Sequence, residues 1–129
     1  MHCSHCGLCC RETEMLLSQE DVQRLKTIGY SPDKFQRYDR QRYAKLRNRR
    51  GYCFLYNVKK RRCKAYRLRP QGCRLYPVIC SVEDGIIVDE LCPMGNTVSR
   101  KEIEEKGKEV LKLLAVIDRE AEERKKPLK

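Results

Sequence analysis

Cys3-Ser4-His5-Cys6-Gly7-Leu8-Cys9-Cys10 places four cysteines within eight residues at the start of the chain. Two-residue gaps let a loop turn back so that successive thiolates point at one ion or cluster, and Gly7 supplies the backbone freedom such a turn needs. Neighbouring side chains diverge, so Cys9 and Cys10 are expected to serve different centres. One joins Cys3 and Cys6, and the other faces a second site.

The chain has nine cysteines in 129 residues, so five lie beyond this opening. Three local ligands plus one remote cysteine complete a first site, and Cys10 with three remote cysteines completes a second. That count assigns Cys3, Cys6, Cys9, Cys10, Cys53, Cys63, Cys73 and Cys92 as ligands and leaves Cys80 over. Val78, Cys80 and Val82 alternate as the buried face of a strand, where a thiol acts as a small hydrophobe. Cys53, Cys63 and Cys73 recur at ten-residue intervals, which suits a strand, a second strand and a helical turn converging on one point. The competing reading is a core of thiols or disulfides, and the odd number argues against complete pairing.

The length fits one domain over 1–129, with a metal-binding, cysteine-rich core over 1–98 and an amphipathic helix over 99–126. A chain of this size buries roughly two-thirds of its unfolded surface. With 36% of residues charged, the apolar core is expected to be thin, and metal ligation is expected to contribute to folding. No apolar run approaches the roughly 18 residues of a membrane span. Met1 is followed at once by His2-Cys3, which leaves no room for a signal peptide. A soluble cytoplasmic protein is the expectation, and in a reducing cytosol dense cysteine points to metal or redox chemistry and not to a disulfide scaffold.

The fold class read from the pattern is α+β, a small metal-organised domain with N-terminal helices, short hairpins and a long C-terminal helix. Ser18-Gln19-Glu20-Asp21 resembles a capping box, with Val22, Leu25 and Ile28 as the core-facing stripe and Gly29 as the stop. Ser31-Pro32 starts a second, short helix with Phe35 and Tyr38 on one face. Strands are expected over Tyr43–Arg47 and Tyr52–Tyr56 around a turn at Asn48-Arg49-Arg50-Gly51. Arg69-Pro70 opens a helical turn carrying Cys73, and Asp84-Gly85 joins a hairpin of 78–82 and 86–88. Ser99-Arg100-Lys101-Glu102 begins the last helix, about 40 Å long at about 1.5 Å per residue. Its stripe of Ile103, Gly107, Val110, Leu114, Ile117 and Ala121 is expected to pack on the core of a monomer, with a coiled-coil seam in a dimer as the alternative.

Charge is unevenly spread. The net charge is +11, yet residues 34–76 hold 16 Lys or Arg against one acid, Asp39. The same stretch contains six of the seven tyrosines and both phenylalanines. Arg49 and Arg50, and then Lys59, Lys60, Arg61 and Arg62, fall at two expected turns flanking an aromatic strand. Cations at loop tips beside aromatic rings hold phosphates while bases stack, so RNA or another polyanion is the partner suggested. An acidic protein partner and simple solvation of the charge are the other readings. Thiolate centres are themselves anionic, and Arg11, Arg69 and Arg74, beside ligands in sequence, are expected to offset that charge.

The run Cys3-Ser4-His5-Cys6-Gly7-Leu8-Cys9-Cys10-Arg11, then Cys53-Phe54-Leu55, then Cys63-Lys64-Ala65-Tyr66-Arg67-Leu68-Arg69-Pro70-Gln71-Gly72-Cys73-Arg74-Leu75-Tyr76-Pro77, and finally Cys92-Pro93, resembles the CxxCxxCC or YkgJ-like family. That family is described as a zinc- or iron-chelating domain and is also seen in flagellin lysine N-methylases. The resemblance runs in order from residue 3 to 93 and implies the same eight cysteine ligands, with Cys80 outside the pattern. The C-terminal helix and the high charge have no counterpart in it.

All-thiolate sites suit both iron and zinc. The first three cysteines have the spacing of a bacterial ferredoxin run, and Cys92-Pro93 matches the Cys-Pro that closes such motifs. A 4Fe-4S cluster is therefore preferred to Zn2+, with His2 and His5 as non-ligands. The function expected is that of a metal-binding iron-sulfur protein that engages RNA or another polyanion through its basic face. Its rivals are an Fe-S-dependent enzyme or enzyme component related to protein lysine N-methylation, an electron-transfer protein and a zinc-binding structural module. No Gly-rich nucleotide loop or Ser/His/Asp order marks a catalytic site.

Overall fold

A computed structural model describes residues 10, 11, 13–81, 83–90, 92 and 94–126. Helices and short antiparallel hairpins alternate, which makes the chain α+β.

Helix α1, Gln19–Thr27, starts where the sequence predicts. Ser18 is extended, its Oγ accepts from the Asp21 N–H at 3.1 Å, and the Asp21 carboxylate accepts from the Ser18 N–H at 3.1 Å. Leu25 is fully buried, but Ile28 is 42% exposed and does not join the expected stripe. The cause is local: the helix ends at Thr27, Ile28 leaves helical geometry, and Gly29 turns the chain at φ +103°. Pro32 opens α2, Pro32–Phe35, and extended Gln36 ends it after one turn. Tyr38 is therefore not on a face shared with buried Phe35. It lies on strand β1, Gln36–Tyr38, 46% exposed, with the guanidinia of Arg42 and Arg124 each 5.0 Å from its ring.

Strand β2, Ala44–Leu46, forms as expected but pairs with β1, in the register Gln36↔Leu46. Its other edge is taken by the segment before α1, through Leu17 N–H to Ala44 O at 2.8 Å and Leu46 N–H to Met15 O at 3.0 Å. Ala44 and Leu46 point into the core while Lys45 stays half-buried, the period-two alternation of a strand covered on one face. The expected strand 52–56 is divided between two small hairpins. Strands β3, Asn48–Arg49, and β4, Tyr52–Cys53, are joined by Arg50-Gly51, both with positive φ, as a primed two-residue turn requires. Strands β5, Tyr56–Asn57, and β6, Arg62–Cys63, form the second hairpin, with Tyr56 opposite Cys63.

A 3₁₀ turn at Tyr66–Leu68 leads to α3, Gln71–Leu75, and then to the hairpin of β7, Val78–Ser81, and β8, Gly85–Val88. Gly85 takes φ +73° at the predicted turn. Helix α4, Arg100–Lys125, is capped by Ser99 Oγ, which accepts from the Glu102 N–H at 3.1 Å.

Two apolar clusters result. One gathers Leu17, Leu25, Phe35, Ala44, Leu46, Cys53, Leu55 and Ala65. The other joins Leu75 and Val78 to Val110 of α4, with Ile86, Ile103, Leu113 and Leu114 around them. The α4 stripe is spent within the chain, since Gly107, Val110, Ile117 and Ala121 are buried. Ile86 approaches Gly107 so closely that a Cβ there would meet its Cγ2 at 3.0 Å. The C-terminal half of α4 also holds the N-terminal cluster in place. Buried Glu120 accepts from the Gln19 N–H at 2.9 Å, so a carboxylate on α4 caps α1. Arg124 donates to Arg42 O at 2.9 Å, and the Tyr43 hydroxyl donates to Asp118, which raises the tyrosine's pKa.

Candidate metal centre

Five of the eight expected ligands are described, and four of them border the same apolar cluster. Cys53 sits on β4 and is 5% exposed. Half-buried Cys10, Cys63 of β6 and Cys73 of α3 pack against that cluster from three other parts of the chain. Cys92 does not border that cluster. It lies after β8, where its N–H donates to Asp89 O at 3.3 Å and its carbonyl accepts from the Gly95 N–H at 3.0 Å. Cys3, Cys6 and Cys9 lie outside the described residues, as do His2, His5 and Pro93. Among the described residues, no three Cys, His, Asp or Glu side chains form a ready metal-binding group.

The donor chemistry suits a thiolate centre. The Leu55 N–H donates to Cys53 Sγ at 3.4 Å. An amide two residues on that points at the sulfur stabilises its anionic form and fixes its direction. Gly72, just before Cys73, is where the Met15 side chain crosses α3, and a Cβ at 72 would run into Met15 Sδ. Glycine at this position thus lets the residues after the first cysteine run lie directly on the helix that carries Cys73.

Cys80 departs from expectation. It is exposed, not buried on the strand face. Val78 is covered by α4, and Ile86, opposite Cys80, also packs against that helix at Gly107, but the cover does not reach across the strand pair to Cys80 itself. Alternation correctly predicts a shared face, but it does not say how far the covering helix extends. Cys80→Ser is expected to leave metal content unchanged and to shift stability by no more than about 0.5 kcal/mol, as exposed substitutions do. Metal analysis with thermal denaturation checks both.

The arginines named beside ligands have defined contacts. The Arg11 guanidinium lies 5.9 Å from the Tyr52 ring, and residue 11 bridges antiparallel to residue 52. Arg69 sits 4.1 Å over the Tyr66 ring and donates to Tyr66 O at 2.7 Å. Arg74 donates to Arg67 O at 2.8 Å.

The cationic clusters occupy the tips of the two small hairpins. Arg49 and Arg50 are exposed at the β3–β4 turn, and Lys59, Lys60, Arg61 and Arg62 are exposed at the β5–β6 turn. The rings of Tyr52 and Tyr56 stack at 5.2 Å and 20°, tying one hairpin to the other. This stack is absent from the sequence reading. Its only trace there is the i, i+4 spacing of two tyrosines across a chain reversal. Away from these tips, Lys45 reaches Glu14 at 3.0 Å and Arg37 reaches it at 3.2 Å. The hydrogen bond and charge of Lys45 hold the Glu14 carboxyl below its ordinary range.

Among the described residues, no helix is long and apolar enough to cross a membrane. The chain is similar to an uncharacterized protein of Methanocaldococcus jannaschii, 27% identical over 89 residues that make up 65% of this chain and 48% of that protein. It therefore spans about half the length of the curated relative it matches. No solved structure matches the chain. The CxxCxxCC family profile, described as a zinc- or iron-chelating domain, matches residues 2–93. With the family's cysteine pattern running through most of its length, the chain belongs to the CxxCxxCC family of metal-chelating domains.

Proposed function

We propose that this metal-chelating chain carries a 4Fe-4S cluster held by cysteines drawn from Cys3, Cys6, Cys9, Cys10, Cys53, Cys63, Cys73 and Cys92. The observation that carries this reading is the convergence of Cys10, Cys53, Cys63 and Cys73, from four separate segments, on one apolar cluster. The ferredoxin-type spacing of the first three cysteines favours iron-sulfur over zinc. When bound, such a centre supplies folding energy and a redox-active iron core.

The chain's own residues supply the rest. The Leu55 amide steadies the Cys53 sulfur. Four thiolates around a 2+ centre leave about −2 of charge, and Arg11, beside Cys10, supplies positive charge next to that ligand. The basic hairpin tips support a polyanionic partner, with RNA favoured over an acidic protein because an aromatic stack joins the two hairpins that carry the cations.

Protein purified without oxygen is expected to be brown and to contain iron and acid-labile sulfide in equal amounts. A colourless protein with stoichiometric zinc would replace the cluster with a zinc structural module. A fully folded chain without metal would overturn the reading.

A further inference from the structure

We infer that the two small hairpins form a single-stranded RNA site whose shape is set by the metal centre at their base. This inference rests on the metal and polyanion readings above and adds a mechanism that links them.

Arg11 and the stacked rings of Tyr52 and Tyr56 each adjoin a proposed ligand. Arg11 follows Cys10, Tyr52 precedes Cys53 on β4, and Tyr56 lies directly opposite Cys63 across the β5–β6 pair. Cys10, Cys53 and Cys63 all face the cluster at the hairpin roots, and the cations occupy the opposite ends. The four strands involved are two residues long, and isolated hairpins are marginal in water even at greater length. Packing at the roots and the Tyr52–Tyr56 stack must therefore hold them in register. Ligation of Cys53 and Cys63 fixes one residue of each hairpin, which fixes both tyrosines and both cationic turns relative to one another.

A single strand suits this surface better than a duplex. The tips offer two cationic turns for phosphates, and the half-buried Tyr52 and Tyr56 rings, which stack between the two hairpins, offer a face for an unstacked base. The basic stretch holds no helix long enough to lie in a groove, since α3 has five residues.

The test measures fluorescence anisotropy of a labelled oligouridylate of about ten nucleotides, a length within the range covered by small single-strand binders. It uses the full chain with its metal content determined in each preparation. The loaded protein is expected to bind with strong salt dependence, and neutralising Arg49 and Arg50 should reduce the log–log salt slope by about 1.4. Tyr52→Ala should weaken binding about tenfold at unchanged metal content, the size of one base stack, while Tyr52→Phe should bind as the parent does. Removal of the metal should abolish binding.

Loaded protein that does not bind at low salt would overturn the inference and leave the metal reading intact. Equal binding by metal-free protein would remove the coupling. Equal binding of duplex RNA or polyglutamate, or an unaffected Tyr52→Ala variant, would remove the single-strand site. Protein that never contains metal would instead sink the reading on which the inference rests.

Discussion

Cys53→Ser is expected to lose metal and to unfold the cysteine-bearing part of the chain, as measured by metal content per chain and by circular dichroism. Cys53 is 5% exposed and lies within the larger apolar cluster. The Leu55 amide is already directed at its sulfur. Serine keeps the shape but is a poor ligand at neutral pH, so it leaves a small hydroxyl in an apolar wall and an incomplete site around the metal. The magnitudes favour a drastic outcome. A structural thiolate site contributes roughly 10–16 kcal/mol of apparent binding energy to a small fold, whereas a whole domain is stable by only about 5–15 kcal/mol. A domain with such short strands does not survive losing that contribution. Full metal content and an unchanged transition in Cys53→Ser would remove this residue from the ligand set.

The second large effect is expected at Asp21, which is 1% exposed and serves three donors. Its carboxylate accepts from the Ser18 N–H at 3.1 Å, from the Gln71 N–H of α3 at 3.0 Å, and from Arg24 Nη2 at 2.6 Å. One side chain thus caps α1, joins it to the helix that carries Cys73, and orients Arg24. Asp21→Ala leaves the buried Ser18 amide and the half-buried Gln71 amide unpaired, a buried one costing about 1–3 kcal/mol, and adds the loss of a helix cap. The expected destabilisation is about 3–4 kcal/mol, or roughly 10–20 °C in Tm for a chain of this length. Asp21→Asn keeps one acceptor oxygen and is expected to recover about half. Thermal denaturation of fully metal-loaded protein checks the pair. Equal Tm values for Asp21→Ala and the parent would show that water replaces the carboxylate, so that Asp21 does not hold the two helices together.

Much of this was legible in the sequence, and the limits have physical causes. The caps at Ser18 and Ser99 and the turn at Asp84-Gly85 depend on residues a few positions apart, so spacing reveals them. The α4 stripe is legible because a helix repeats its buried face every three to four residues. Strand partners are not encoded so locally. Tyr43–Arg47 reads as a strand, but nothing within it names β1 as its partner. The run Tyr52–Tyr56 reads as continuous although its two ends belong to different hairpins. Cys80 shows that alternation specifies a face and not the extent of its cover. At the candidate metal centre, the cysteine pattern proposes the ligands, while the gathering of Cys10, Cys53, Cys63 and Cys73 around Leu17, Phe35 and Leu46 requires tertiary structure. The Tyr52–Tyr56 stack and the Glu120 cap arise only from folding, so no motif announces them.

The bond from Gln19 to Glu120 spans 101 positions of sequence, and it gives the folding chain a timetable. At synthesis rates of about 5–20 residues per second, α1 and the cysteines before it emerge roughly 5–20 seconds before the helix that caps α1. During that interval the amide at the start of α1 has no carboxylate to meet, and only the arrival of α4 brings Glu120 to it and secures the helix.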